Sequence, residues 1–290
     1  MDEIKTITIK DKSYPKLLKE IKDPPEILYV RGKLNPNELC FAVVGTRMCS
    51  PYGKQVAFEV AGDLAETGLT IVSGLAPGID TFAHTAAVER NKRTIAVLGT
   101  GLDEKSIYPQ SNLKLAQRIL ETGGCLISEY PPGTPGSKFT FPQRNRIISG
   151  LSFGVLIVEA KQKSGALITA NWAKKQGRKI FAVPGPVHSL NSKGPHYLIK
   201  TGAKLVENAN DILKELDLPK ITRPGRVEKG ENEEENLILE ALKEESLYID
   251  KIIEKTKLSA AEVAGTLAIL EIKGKVRNLG GNIYAINRSS

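Results

Sequence analysis

Short apolar runs alternate with helical patterns through most of this chain. Six runs are brief, nearly continuous in apolar character and rich in β-branched residues: 41–45, 69–73, 94–99, 125–128, 154–158 and 179–183. Such runs are typical of strands covered on both faces. Between the first two, apolar side chains recur at four-residue spacing, as on a buried helix face: Val56, Val60 and Leu64, flanked by Ala57, Ala61 and Ala65. The alternation predicts an α/β domain with a doubly wound, mostly parallel sheet over residues 40–215.

The C-terminal part follows a different pattern. Residues 216–236 are rich in proline, glycine and charge, which predicts a linker. Amphipathic helices follow around residues 237–242 and 248–255, and a third begins after Ser259, where Ser259 and Glu262 form a capping box. Residues 275–286 are typical of a hairpin that turns at Gly280 and Gly281. Three helices and a hairpin predict a small winged-helix domain over residues 237–290.

Residues 1–39 form a short, partly polar N-terminal segment with Pro24 and Pro25 in its middle. Fewer than about 40 residues seldom form an independent core. We therefore expect this segment to pack on the main domain.

The remaining composition narrows the class of protein. Cys40, Cys49 and Cys125 form no CxxC pair, and the three histidines match no zinc spacing, so we expect a reducing environment and no structural metal. The first residues lack the apolar region of a secretory signal, and no run approaches the roughly 18 apolar residues of a membrane span. These features predict a cytoplasmic protein without membrane contact.

The charge is unevenly distributed along the chain. The whole sequence has 41 Lys or Arg against 33 Asp or Glu, a net charge of +8. Residues 231–290 contain 8 basic and 11 acidic residues, which leaves 33 basic and 22 acidic residues in 1–230. The basic surplus therefore belongs to the main domain and modestly favours an anionic partner there.

The densest candidate chemistry lies at residues 138–150. Lys138, Phe139, Phe141 and Arg144 stand close together beside Asn145, so cations and flat rings are offered at one place. A groove for single-stranded nucleic acid needs this combination, since cations follow the backbone and rings stack on unpaired bases. The alternative is a buried aromatic pair flanked by solvated arginines.

Three loops that follow predicted strands add candidate anion sites. In the first, Gly45 and Arg47 precede Ser50 and Pro51, a typical helix start whose free N–H groups attract anions. In the second, Ser73 and Gly74 open a glycine-containing turn that lets a ligand approach the backbone. We expect the nearby Asp80 to be a first-turn residue stabilised by the helix dipole rather than a catalytic base. The third, residues 161–169, contains Ser164 as a helix cap. For the first and third loops, ordinary helix capping without a ligand is the alternative interpretation.

The sequence matches familiar catalytic and cofactor-binding motifs only in part or not at all. Residues 99–104 lack the third glycine of the dinucleotide fingerprint, and residues 99–106 place Glu104 where a P-loop requires glycine. No Ser-His-Asp, Cys-His or HExxH signature occurs. We therefore predict no cofactor and no enzyme activity, although catalytic groups can also converge from distant loops.

Several strings, taken in order, resemble those of the DNA-processing protein A family, also called Smf: Tyr14–Leu18, Pro25–Gly32, Val44–Arg47, Ser73–Asp80, Phe139–Gly150 and Ser164–Ala170. The resemblance implies an extended Rossmann-like domain that binds single-stranded DNA, protects it, forms a homodimer and helps to load the RecA recombinase in natural transformation. The DNA-binding residues that it implies are Arg47 and Lys138 first, with Gly45, Ser73, Gly74, Phe139, Phe141, Arg144 and Asn145 as neighbours.

Two other function classes remain as alternatives. One is a Rossmann-like nucleotide phosphoribohydrolase of the Lonely Guy type, although its Pro-Gly-Gly-x-Gly-Thr string is absent from this sequence. The other is a structural nucleoid protein, which would prefer duplex DNA. The third helix of the predicted winged helix has Glu262 and Glu271 and no cation before Lys273, so we expect a protein-contact or regulatory role for this domain rather than duplex binding.

Overall fold

The computed structural model describes residues 3–219, 221, 230–243, 246–278 and 280–286. The chain divides into two compact units, residues 1–221 and 222–290. The predicted linker at 216–236 falls partly outside the described residues, at 220 and 222–229, as do residues 287–290 of the predicted winged helix.

The first unit is built on a nine-stranded sheet. Its strands in chain order are β1 (Lys5–Thr8), β2 (Ile27–Gly32), β3 (Cys40–Val44), β4 (Thr70–Ser73), β5 (Thr94–Leu98), β6 (Cys125–Ser128), β7 (Gly154–Ile157), β8 (Lys179–Ala182) and β9 (Lys204–Leu205). Their order in the sheet is β1-β2-β6-β5-β4-β3-β7-β8-β9. All pairings from β6 to β9 are parallel, so the predicted doubly wound sheet is confirmed.

Helices cover both faces of this sheet, which explains why its strands are apolar on both sides. They are α1 (Lys16–Lys19), α2 (Pro51–Glu66), α3 (Ile79–Glu89), α4 (Leu113–Glu121), α5 (Thr140–Leu151), α6 (Gly165–Lys175), α7 (Lys193–Lys200) and α8 (Ala209–Glu215). Side chains of α1, α5, α6 and α7 share one apolar cluster, whereas α2, α3 and α8 contribute to another and α4 to a third. The predicted α2 stripe is buried except at Val56, which is half-buried.

The N-terminal segment joins the sheet instead of packing against its surface. β2 pairs antiparallel with both β1 and β6, so it extends the parallel sheet by two strands. Tyr14, Leu18, Leu28 and Val30 are buried in the main core. The segment thus contributes to the core of the first unit, and β1, β2 and the two-residue β9 are strands that the sequence pattern did not predict.

The second unit is a winged helix, as predicted. It contains α9 (Glu233–Ala241), α10 (Ile249–Thr256) and α11 (Ala260–Ile272), with β10 (Leu247–Tyr248), β11 (Val276–Asn278) and β12 (Ile283–Ile286) in the order β10-β12-β11. The capping box of α11 is present in both directions, at 2.8 Å and 3.3 Å. α9 begins four residues before the predicted helix because Asn232 caps it, accepting from the Glu235 N–H at 2.8 Å.

Helix length and polarity bear on membrane contact. Within the described residues, none of the helices is both long enough and apolar enough to pass through a bilayer.

Candidate nucleic-acid interface

A cavity of about 580 Å³ opens at the carboxyl ends of β3 and β7. These neighbouring strands are separated in sequence, since the chain runs from β3 towards β6 on one side and from β7 towards β9 on the other. Open α/β sheets bind ligands at such a reversal of strand order, because the two loops there diverge and leave a crevice. Residues 44–48 form one wall, residues 161–169 another, and α5 supplies the third.

Most of the predicted site residues meet in this cavity. Six of the nine line it: Gly45, Arg47, Lys138, Phe141, Arg144 and Asn145. The other three do not line it: Ser73 ends β4, Gly74 follows it and accepts from Arg144, and Phe139 is the residue before α5. Arg47 and Lys138, which are 91 positions apart in the sequence, therefore face the same space.

Four flexible cations surround the opening. Arg47, Lys138, Lys161 and Lys163 all line the cavity and have exposed side chains. Among the described residues that line the cavity, Asp80 is the single acid, and it is buried. The rim is therefore strongly positive, which favours a ligand with several negative charges. Lys161 and Lys163 could be found in sequence because they follow the β7 run, but only the topology places their loop opposite Arg47.

The two phenylalanines of α5 have different environments. The Phe141 ring packs where Gly99 and Gly136 leave room, since a Cβ at those glycines would lie 2.9 Å and 2.5 Å from it. The ring centroids of Tyr108 and Phe141 are 5.6 Å apart, and the Arg47 guanidinium carbon lies 5.4 Å from the Phe141 centroid. Phe139 is 73% exposed, with the Lys138 ammonium 5.2 Å from its ring centroid. Phe139 is thus the ring that can accept a base on its face, and Gly99 and Gly136 are supporting positions that the sequence did not reveal.

The helix start at Ser50 distinguishes between the two interpretations of its loop. Ser50 caps α2 as predicted, accepting from the Gly53 N–H at 3.1 Å. The anion at this terminus is, however, the protein's own: the Glu159 carboxylate accepts from the Ser50 N–H at 2.8 Å and from its hydroxyl at 2.6 Å. Glu159 is buried and fills the place where an external anion would bind. The structure therefore favours the alternative interpretation for this loop, an ordinary helix cap, and Arg47 remains exposed.

The start of α6 remains open to the cavity. Ser164 caps it, accepting from the Ala166 N–H at 3.3 Å, as predicted. Gly165 is exposed and lines the cavity, and its carbonyl accepts from the Asn145 amide at 3.2 Å. The positive end of the α6 dipole thus adds to Lys161 and Lys163 at the same wall.

A closed polar layer lies beneath the cavity. Arg144 is 4% exposed and donates to the carbonyl oxygens of Gly74, at 2.7 Å, and Val97. The Gly74 N–H donates to the Asp80 carboxylate at 3.0 Å, and the Ser73 hydroxyl donates to the Val43 carbonyl at 2.7 Å. These groups satisfy each other, so they hold the β3, β4 and β5 ends together.

Burial dominates the electrostatics of this layer. It lowers the pKa of Arg144 to about 10, with Asp80 acting in the opposite direction. It also raises the pKa of Asp80, opposed by the positive charge of Arg144. Each group therefore reduces the cost of burying the other's charge. Asp80 lies in the first turn of α3, as expected from the sequence, and its carboxylate is part of this layer.

Comparisons with known proteins identify the family of both units. The model of the family DNA recombination-mediator protein A matches residues 5–217, and that of the DprA winged helix domain matches residues 222–282. Protein Smf of Escherichia coli is 40% identical over 285 residues, covering 95% of this chain and 76% of that protein. DNA processing protein DprA of Bacillus subtilis is 46% identical over 215 residues, covering 73% of this chain and 71% of that protein.

Solved structures give the same result. The X-ray structure of DNA processing protein A from Streptococcus pneumoniae superposes with a TM-score of 0.68 at 44% identity, covering 73% of this chain and 74% of that one. DNA processing protein A from Helicobacter pylori, studied for its single-stranded DNA binding mode, superposes with a TM-score of 0.65 at 33% identity, covering 74% and 98%. With both units matched, this chain belongs to the DNA recombination-mediator protein A family, also known as DprA or Smf.

Proposed function

We propose that this chain binds single-stranded DNA in the cavity between β3 and β7. The observation that carries the proposal is the convergence of Arg47, Lys138, Lys161 and Lys163 on one opening beside the exposed ring of Phe139. Four cations suit a phosphate backbone, and an exposed ring suits an unpaired base. The description of the Helicobacter pylori relative as a single-stranded DNA binder supports the same ligand class.

In this proposal, some residues of the interface contact phosphates and another stacks on a base. Arg47 and Lys138 hold phosphates from opposite walls, while the α6 start and its two lysines receive the next phosphate. Phe139 stacks on a base that has left its neighbours. Neither contact identifies the base, so binding is nearly independent of sequence and strongly dependent on salt.

Arg47→Ala and Lys138→Ala test the proposal. The affinity for a fluorescent oligothymidylate is measured by anisotropy over a range of salt concentrations. Each variant is expected to bind more weakly and to lower the slope of log affinity against log salt by about 0.7 for each phosphate that the protein no longer neutralises. Lys12→Ala, an exposed lysine that follows the edge strand β1, is the matched control. Parental affinity and slope in both cavity variants would remove these residues from the interface.

The wider role follows the family to which the chain belongs. We propose that it acts in the cytoplasm in the processing of incoming DNA during transformation and recombination, protecting single strands as a homodimer and helping to load the RecA recombinase. A dimer would bring two cavities to one strand and increase avidity without new contacts. Equally tight DNA binding by a monomeric species, shown by sedimentation, would contradict the part assigned to the dimer.

The enzyme alternative has a direct test. A phosphoribohydrolase would also hold phosphate at this sheet edge, but the acids beside the cavity are engaged in the fold: Asp80 with Gly74, and Glu159 with Ser50. We therefore propose a binding role without catalysis. Incubation with nucleoside monophosphates should release no free base, and release that requires Arg47 would favour the enzyme.

We propose a protein-contact role for the winged-helix unit. Its third helix, α11, has Glu262 and Glu271 exposed, and Lys273 just beyond it is paired with Glu231 and Glu235. Phosphates of a duplex would be repelled by the two exposed carboxylates. A competition between single-stranded and duplex oligonucleotides for the whole chain should favour the single strand, whereas duplex preference would support the nucleoid alternative.

A further inference from the structure

An exposed apolar surface adjoins the cavity. We call it the apolar strip and define it by Met48, Tyr52, Val187 and Leu190. Met48, Val187 and Leu190 are 78%, 64% and 66% exposed, and Tyr52 is 42% exposed. Side chains of this type are seldom so exposed together unless they contact something.

Hydrogen bonds connect the loops that carry the strip. The Tyr52 hydroxyl donates to the Pro184 carbonyl at 2.8 Å, and the Asn191 amide donates to the Met48 carbonyl at 3.2 Å. The Lys193 ammonium donates to the Val187 carbonyl at 2.8 Å. The loop after β3 and the loop after β8 therefore form one continuous surface.

The strip begins at the rim of the cavity. Met48 lines the cavity as well as the strip. The loop after β7, which carries Lys161, is tied to the same surface because the Ala160 N–H donates to the Asn191 carbonyl at 2.7 Å and the Gly194 N–H donates to the Ala160 carbonyl at 2.8 Å. A strand leaving the cavity past Met48 would thus pass directly onto the strip.

The charge around the strip selects the occupant. Between Glu129 and Glu207 the sequence contains 12 Lys or Arg and a single acid, Glu159. That carboxylate is buried against Ser50 and faces no ligand. Several of these cations are paired with acids from other segments: Arg146, Arg178, Lys179 and Lys204. Lys161 and Lys193 lie in or beside the loops that form the strip. A polyanion along this edge meets these two cations, and apolar side chains offer contacts to its bases. Unpaired DNA supplies both features, a negatively charged backbone for the cations and exposed bases for the apolar side chains.

We propose that the apolar strip holds the nucleotides that follow those in the cavity, with bases against Met48, Val187 and Leu190 and the backbone near Lys161 and Lys193. This inference rests on the proposed function and extends it from one cavity to a longer site. Affinity should then continue to rise with oligonucleotide length after the cavity is filled.

The double variant Val187→Ser, Leu190→Ser tests the inference. Both side chains are largely exposed, so the fold should tolerate the change. Affinity is measured for oligothymidylates from about 4 to about 16 nucleotides, the range of single-strand sites. The longest should bind about fivefold more weakly than to the parent and the shortest equally well. Ile27→Ser, Leu39→Ser, at exposed apolar positions of the N-terminal segment, is the matched control and should match the parent at every length.

Two results would contradict the proposal that the apolar strip binds DNA. One is an unchanged length dependence in the double variant. The other is a double variant that sediments as a smaller species with the parental length dependence, which would make the strip a contact between copies. Arg47→Ala separates the two proposals. If the shortest oligonucleotide binds Arg47→Ala as tightly as the parent, the cavity proposal fails. If Arg47→Ala loses affinity and the double variant does not, only the proposed role of the strip fails.

Discussion

Arg47 and Arg144 line the same cavity but differ in what holds them. The Arg47 side chain is exposed and rests on the Phe141 ring, free to turn towards a ligand. Arg144 is buried, donates to two backbone carbonyls and shares its environment with Asp80. The comparison separates two classes of predicted site residue: exposed side chains that can reach a ligand, and buried ones that fix the cavity walls.

The same contrast applies to two helix starts. The start of α2 is closed by Glu159, whereas the start of α6 opens on the cavity and has lysines beside it. Both have a serine cap, so the cap alone does not mark an anion site. What distinguishes them is whether a carboxylate from elsewhere in the chain already occupies the terminus.

The largest expected effect concerns Arg144. Arg144→Ala leaves the carbonyls of Gly74 and Val97 unpaired and Asp80 without its compensating charge, so the free energy of unfolding should fall by about 3 kcal/mol or more. Urea denaturation followed by the fluorescence of Trp172, the one tryptophan of the chain, reports on this unit. Arg47→Ala should change stability by less than about 0.5 kcal/mol. Equal stability losses in the two variants would contradict the assignment of Arg144 to the cavity wall and of Arg47 to ligand contact.

The second prediction separates the two phenylalanines. Phe139→Ala should weaken single-strand binding by roughly 1 to 3 kcal/mol, the contribution of one stacked base, with little change in stability. Phe141→Ala should lower stability first, because its ring fills the space beside Gly99 and Gly136. Anisotropy and urea denaturation of both variants give the comparison, and a Phe139 variant with parental affinity would show that no base stacks there.

The third prediction concerns the pH dependence of stability and His84, a fully buried side chain of α3. The Thr94 hydroxyl donates to the Ile71 carbonyl, so it accepts from His84 Nδ1–H at 2.7 Å. Burial lowers the pKa of His84 to about 3, with Arg144 acting in the same direction. The unfolded chain protonates this side chain below its ordinary pKa of 6.5 while the folded chain does not, so stability is lost as the pH falls.

Between pH 7 and pH 5 the His84 contribution should lower the free energy of unfolding by about 2 kcal/mol. His84→Asn, which places an amide near Thr94 and does not titrate, should lack this part of the pH dependence. Urea denaturation of both proteins at the two pH values measures the difference. The same slope in the variant and the parent would show that His84 does not carry the effect.

The smallest expected effect is at the α6 start. Ser164→Ala removes the cap and should lower the free energy of unfolding by about 1 kcal/mol, whereas Ser164→Gly should cost only a few tenths. Ser50→Ala should cost more than Ser164→Ala, because Ser50 also bonds to Glu159. Thermal unfolding of the three variants checks this order, and a reversed order would mean that the two termini do not differ as described.

The sequence allowed much of this fold to be predicted because its signals are local. Six parallel strands, the α2 stripe, the caps at Ser50, Ser164 and Ser259, and the winged helix all follow from periodicity and end signals. β1 and β9 were missed because they are short strands at the sheet edges, and β2 was missed although it has six residues and lies between β1 and β6. Their positions depend on pairing partners far away in the chain, such as β6 for β2.

Most residues that line the cavity were named from the sequence, but which of them are buried and which are exposed was not predictable. Arg47 and Lys138 stand in loops after strands, and the topology brings both to one edge. The burial of Arg144 and the closure of α2 by Glu159 depend on contacts between residues that are 70 and 109 positions apart. Local composition carries no information about such contacts, so only the fold could decide between an anion site and an ordinary cap at α2.

Two walls of the cavity consist of chain segments that are synthesised at different times. The ribosome releases residues 44–48 well before residues 161–169, so a nascent chain has only half of the binding wall. A premature stop before Lys161 yields a product that lacks both lysines of the second wall. If the cavity binds DNA as proposed, binding requires both walls, and a bound strand would stabilise the early and late segments together by mass action.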